Sequence, residues 1–178
     1  MATLVLTVIG DDRPGLVDAL AGRVAGHGGN WDRSNMARLA GKFAGIVVVT
    51  VPDEQVDDLR ASLESLSSQR VLDVRMTIAD QAPSGRSEPS VTMHLIGHDR
   101  PGIVKEIAAA LAARDVSIDE FETSTASAPM SAEELFEAHA TLRLPAHVST
   151  DQLRSILEDI ANELMVDLEL ADRNDGRG

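Results

Sequence analysis

Hydrophobic and polar positions alternate over the opening of the chain, then change to a helical period. Leu4, Leu6 and Val8 share one face of a strand predicted over about Thr3–Gly10. From Pro14 onward the apolar positions are Leu16, Val17, Leu20, Ala21 and Val24, one stripe of a helix. Pro14 suits a first helical turn, where its missing N–H has no partner to lose, and His27-Gly28-Gly29 ends the helix. Strands follow over about Asn30–Leu39 and Lys42–Val51, joined tightly by Ala40-Gly41 as in a hairpin. A second helix begins after Pro52-Asp53, with the stripe Val56, Leu59, Leu63 and Leu66. A fourth strand then places Leu72, Val74, Met76 and Ile78 inside and Asp73, Arg75 and Thr77 outside.

The whole pattern occurs twice. Ile9-Gly10-Asp11-Asp12-Arg13-Pro14-Gly15-Leu16-Val17 aligns with Ile96-Gly97-His98-Asp99-Arg100-Pro101-Gly102-Ile103-Val104, identical at seven of nine positions. Val91, Met93 and Leu95 repeat the first strand's inner face. Ile103, Val104, Ile107, Ala108 and Leu111 repeat the first helical stripe, and Leu153, Ile156, Leu157 and Ile160 the second. The offset between copies grows from 87 to 93 by the third strand, which places six extra residues within Ala126–Glu134. Two modules are expected, residues 1–78 and 90–171. They are joined by a linker, 79–89, rich in Pro, Ser, Gly and charge, and followed by a disordered tail, 172–178. The order βαββαβ predicts an α+β fold of two ferredoxin-like modules. Each is a four-stranded antiparallel sheet with two helices on one face.

Composition narrows the function. The net charge is −13, and the acid lies mainly in the second copy. Residues 1–89 hold nine Lys/Arg against twelve Asp/Glu, and residues 90–178 hold seven against seventeen. Such a field repels phosphate backbones and anionic membranes, so no direct nucleic-acid or membrane partner is expected. Aromatic residues are only 2% of the chain, which disfavours an RNA-binding sheet that would stack bases. With no Cys, disulfides and thiolate chemistry are excluded. No stretch reads as a signal peptide or a transmembrane helix, so a cytoplasmic location is the default expectation.

The repeated loop is the segment richest in candidate chemistry. A helix N-terminus offers free N–H groups and partial positive charge, a seat for a carboxylate. Gly15 and Gly102 would admit a ligand close to the backbone, and Asp12 and Asp99 could meet an ammonium group. One loop would thus hold both ends of a free amino acid. The same aspartates could equally be plain helix caps. The repeated Arg13 and Arg100 go beyond what capping needs. Asn30 and Asp32 start the second strand and are placed beside the loop, as ligand contacts or as turn residues; Ser117 and Asp119 take those positions in the second copy. Trp31, the single Trp, reads as packing. His94 and His98 lie four apart on a strand, and His139 and His147 are separate, so no metal site is expected. There is no Gly-x-Ser-x-Gly elbow, and no catalytic constellation stands out.

The module order, the Asp-Arg-Pro-Gly loop and the Gly29-Asn30-Trp31-Asp32-Arg33-Ser34-Asn35-Met36-Ala37 run resemble the ACT domain. Among tandem ACT proteins the chain is most similar to the glycine cleavage system transcriptional repressor group. The resemblance implies a non-enzymatic regulatory protein without cofactor or metal. It would bind a free amino acid or other small effector at interfaces between paired units, with sheets joined side by side in a homodimer or larger assembly. It places ligand contacts at Asp12, Arg13, Gly15, Leu16 and Asn30, and at Asp99, Arg100, Gly102, Ile103 and Ser117. Ser117 departs from the Asn of the pattern, which sets the second site apart. A repressor of this composition would act by contacting another regulator rather than DNA. The alternative is a protein–protein interaction module with no small-molecule ligand.

Overall fold

The computed structural model describes residues 1–79, 90–127 and 134–172. The chain divides into two units, Met1–Ser84 and Gly85–Gly178. The predicted linker from residue 80 on, the tail from 173 on, and the bulk of the extra residues, 128–133, lie outside the described residues.

The first module runs β1 (Ala2–Asp11), α1 (Leu16–Gly26), β2 (Asn30–Leu39), β3 (Lys42–Val51), α2 (Val56–Ser68) and β4 (Asp73–Ile78). The second runs β5 (Ser90–His98), α3 (Ile103–Ala112), β6 (Ser117–Ser127), β7 (Glu134–Arg143), α4 (Thr150–Leu164) and β8 (Val166–Asp172). Each sheet is antiparallel, in the orders β2-β3-β1-β4 and β6-β7-β5-β8. This is the ferredoxin-like plan, found twice.

The cores are aliphatic, as so few aromatics require. Leu4, Leu6, Leu20, Val47, Leu59 and Leu63 are buried in the first module. Met93, Leu95, Ile107, Leu111, Leu142 and Leu153 are buried in the second. Trp31 packs against the first core. Ile78 departs from the expectation: it is 63% exposed, at the last position of an edge strand that the helices leave uncovered. Asp172 closes β8 instead of opening the tail.

The helix starts differ in kind. Pro14 does not begin α1, because Gly15 follows it in a left-handed conformation (φ 91°) and the helix starts at Leu16. Gly102 does the same before α3, at φ 95°. Only a residue without Cβ takes this conformation at little cost, which explains why both copies carry glycine there. By contrast, α4 is held by a side-chain cap. Ser149 Oγ accepts from the Gln152 N–H at 3.2 Å, and Gln152 Oε1 accepts from the Ser149 N–H at 2.9 Å. Ser149→Ala is therefore expected to cost about 1 kcal/mol in denaturant unfolding.

The strands β2 and β6 are sheet edges and mostly exposed. Each carries a bulge at the same place, between Trp31 and Arg33 and between Ile118 and Glu120, so the extra residues are Asp32 and Asp119. The sheet faces opposite the helices differ between modules. The first presents apolar Val5, Ile9, Ile46 and Val48, with Ile46 54% exposed. The second presents Thr92, His94, His139 and Thr141.

Candidate functional site

The end of the first sheet gathers the repeated loop, the β2–β3 turn and the segment between α2 and β4. Residues Ala40 and Gly41 both have positive φ, so the turn is tight and brings the strand ends level with the end of β1. Register then sets Lys42 opposite Asp11, and their side chains form an ion pair. The Lys42 ammonium holds the Asp11 carboxyl below its ordinary value, by hydrogen bond and by charge. The Asp12 N–H donates to the Gly41 carbonyl at 2.9 Å. Its carboxylate accepts from Arg38 Nη1 at 3.3 Å. Arg13 Nη2 donates to the Arg70 carbonyl at 3.3 Å, tying the loop to the α2–β4 segment. An open cleft of about 480 Å³ lies alongside, lined by Gly10, Asp11, Lys42, Arg70, Val71 and Leu72 among others.

This geometry removes the capping role for Asp12. Gly15 holds the N-cap position, so α1 starts with no side-chain cap, and the Asp12 carboxylate turns to Arg38 instead. A Cβ at Gly15 would meet nothing within 4 Å, so the space before the helix is open. Leu16 and Ile103 are only 4% and 3% exposed. Their side chains belong to the cores, so only backbone N–H groups could meet a ligand, and that of Ile103 already donates to the Arg100 carbonyl at 3.4 Å.

The second loop has the same backbone and different side-chain partners. The Asp99 N–H donates to the Glu134 carbonyl at 2.9 Å, matching Asp12. Arg100, however, forks onto Glu106 in the first turn of α3, at 3.1 and 2.6 Å. Glu106 Oε1 lies 3.8 Å from where a Cβ of Gly102 would stand. The first module has Ala19 at the position of Glu106. The second helix N-terminus therefore carries a carboxylate of its own and a neutralised arginine.

The Arg100 fork holds the Glu106 carboxyl below the ordinary glutamate value of 4.5. A depressed carboxyl contributes stability above its unfolded value and loses it as pH falls through the folded one. Melting temperature should thus decline as pH drops below about 4.5, and Glu106→Gln should flatten that acid limb. An unchanged limb in the variant would show that the pair contributes nothing.

Asn30 and Ser117 are not beside the loops. Asn30 pairs with Thr50, which pairs with Thr3, at the opposite end of the sheet from Asp12. Nine residues of strand separate the two levels, about 30 Å. Ser117 likewise stands level with Ser90, far from Asp99. Asn30 Nδ2 instead donates to Asp32 Oδ1 at 2.6 Å, and Thr50 Oγ1 donates to the other carboxylate oxygen. Asp119 accepts from Arg143 at 3.1 Å. The strand-start residues were misplaced because β1 and β2 run parallel, so β2 starts where β1 starts.

Three side chains, Arg38, Lys42 and Glu106, and the pairing of His139 with His94 are not evident in the sequence pattern. Arg38 and Lys42 flank the Ala40-Gly41 turn, and pairing that hairpin with β1 would have found them. His139 stands directly across from His94 in the register. Aligning the copies puts Thr7 and Ile46 at those two positions in the first module, also paired.

A family model described as the ACT domain matches residues 2–77. The first module is an ACT domain. The second repeats its element order, sheet order and loop, so the chain is an ACT domain followed by a second module of the same ferredoxin-like fold. A crystal structure of an unknown protein from Galdieria sulphuraria is similar over 96% of this chain and 98% of that one, with 26% identity and a TM-score of 0.84. A candidate glycine cleavage system transcriptional repressor is similar over 96% of both chains, at 19% identity and a TM-score of 0.74, which shows a shared fold. No curated protein matches at a significant level. Among the described residues, no helix is long and apolar enough to cross a membrane.

Proposed function

We propose that this chain is a tandem ACT protein, a non-enzymatic sensor of a free amino acid read chiefly at the Asp12 loop, and that it signals to another regulatory protein. The observation that carries this reading is the position of Gly15. Because glycine caps α1, Asp12 is left partly exposed beside a helix N-terminus that has no side-chain cap. A ligand carboxylate fits the N–H groups of Leu16 and its neighbours together with Arg13. A ligand ammonium fits Asp12. The self-supplied carboxylate of Glu106 makes the Asp99 loop the weaker seat. The likeness to a candidate glycine cleavage repressor puts glycine and serine first among ligands to try, and a role in control of glycine metabolism with them.

One module cannot bring Asn30 and Asp12 to the same ligand, given their separation. Two copies whose β2 edges pair antiparallel can, because Asn30 of one copy then approaches the Arg38 end of the other, next to its Asp12. This supports ligand capture at an interface between copies.

A thermal-shift screen over the free amino acids tests the reading. A ligand present at about 100 times its dissociation constant should stabilise by about 2.7 kcal/mol. Asp12→Ala should abolish the shift, and Asp99→Ala should keep it. The Asp12 pair with Arg38 is exposed, so its loss changes stability by less than about 1 kcal/mol. If no amino acid shifts the melting point at millimolar concentration, the protein is an interaction module whose loop is satisfied by Arg38 and Arg70 alone.

A further inference from the structure

The open face of the second sheet holds a compact set of metal-ligating groups. His94 on β5 and His139 on β7 are directly opposite, and their rings stack with centroids 4.1 Å apart and planes 7° from parallel. Glu137 lies two residues before His139 on the same face of β7. Both Nε2 atoms converge on one oxygen, Glu137 Oε1, at 2.7 Å from His94 and 3.2 Å from His139. One ligand atom from each of the three residues falls within 4.8 Å of the others. We propose that His94, Glu137 and His139 form a binding site for a borderline divalent cation such as Zn²⁺ or Co²⁺.

Chemistry selects the class of ion. Two imidazoles and one carboxylate suit zinc and the later first-row divalent metals. Magnesium and calcium prefer all-oxygen shells. The two rings stack in nearly parallel planes, so an ion would enter as the imidazoles tilt out of the stack to aim both Nε2 lone pairs at it, with the ligand atoms settling about 3.3 Å apart. All three side chains project from one side of the sheet, so the remaining coordination position faces outward and is open to water or to a group from another molecule. The row across the sheet strengthens the field. Glu122 is opposite His139, and Glu169 is opposite His94. Carboxylates therefore bracket the imidazole pair on both sides, favouring a dication.

The set is absent from the first copy. The aligned positions there are Thr7, Ala44 and Ile46, in the same register and on the same face. A sheet of this fold thus needs neither histidines nor acid at these places, and only the second copy carries all three. The partial exposure of the residues, 30%, 40% and 56% for His94, Glu137 and His139, leaves them within reach of solvent ions.

The test uses the untagged 178-residue chain. It is loaded with Zn²⁺ alone, dialysed, and assayed for bound metal by elemental analysis. Co²⁺ loading gives a visible spectrum that reports nitrogen ligation. One equivalent of metal per chain is expected, falling to none in His94→Gln with His139→Gln and in Glu137→Gln. His98→Gln and His147→Gln should retain the equivalent. Circular dichroism of each variant confirms folding, and the single His139→Gln, the most exposed position, serves if the double variant does not fold. No retained metal in the wild type overturns the site. So does an equivalent that survives the loss of both histidines. Neither outcome bears on amino-acid binding at Asp12, which needs no metal.

Discussion

Gly45→Ala should lower the melting temperature of the first module by about 12–24 °C, corresponding to about 3 kcal/mol in a module of this size. Gly45 lies on β3, between Val8 of β1 and Met36 of the edge strand β2. A Cβ there would stand 2.4 Å from the Asn35 carbonyl oxygen and 2.7 Å from the Met36 Cα. Both are backbone atoms held by the ladder, so no rotamer change relieves the contact, and β2 has to move away from β3. Trp31 is on the same edge strand and is the only Trp in the chain, so its fluorescence follows the transition of this module. A fall of less than about 4 °C, the shift that about 1 kcal/mol produces, would show that the strands part easily.

Leu142→Ala should cost about 3 kcal/mol of unfolding free energy with an unchanged denaturant slope. Leu142 is fully buried on the inner strand β7, across from Val91 and Ile118. Truncation removes apolar contact and leaves a cavity that a close-packed aliphatic core fills only in part. The neighbour toward the edge, Ile118, is 38% exposed and has room to shift, which keeps the cost in the middle of the usual range instead of at its top. Ile118→Ala, already half outside, should cost less than about 1 kcal/mol. Equal costs at the two positions would mean that β6 is packed as tightly as β7.

The fold was legible because both periods, 2 and 3.6, are clean in aliphatic residues and occur twice. The inner faces Leu4-Leu6-Val8 and Val91-Met93-Leu95 are buried as the alternation requires. The start of α1 was legible only to within two residues. Pro14 fits a first turn, but the chain passes through a left-handed Gly15 before the helix begins, and a proline pattern carries no sign of that conformation. The same detail decided the role of Asp12, which could not be read from a string in which any aspartate before a helix looks like a cap. Asn30 was misplaced for a topological reason, since its level on the sheet depends on strand direction. The pairing of His94 with His139 depends on register across 45 residues of sequence. Spacing within one strand pointed to no metal site, because His98 is on the same face as His94 but two pleat periods farther on, about 13 Å away. Glu106 is visible four residues after Gly102, yet its meaning lies in the fork from Arg100.

The two bulges bear on how long a partner strand can be. A bulge interrupts the even row of backbone donors and acceptors and twists the edge away from a straight neighbour. On β2 the regular run is Arg33–Leu39, seven residues or about 23 Å. On β6 it is Glu120–Ser127, eight residues. A strand added to either edge keeps an even ladder only as far as an aspartate, Asp32 or Asp119, so the regular stretch has nearly the same length in both modules. The two edges act as matched rulers, and their fixed zero mark protects a long exposed edge from open-ended growth into fibres.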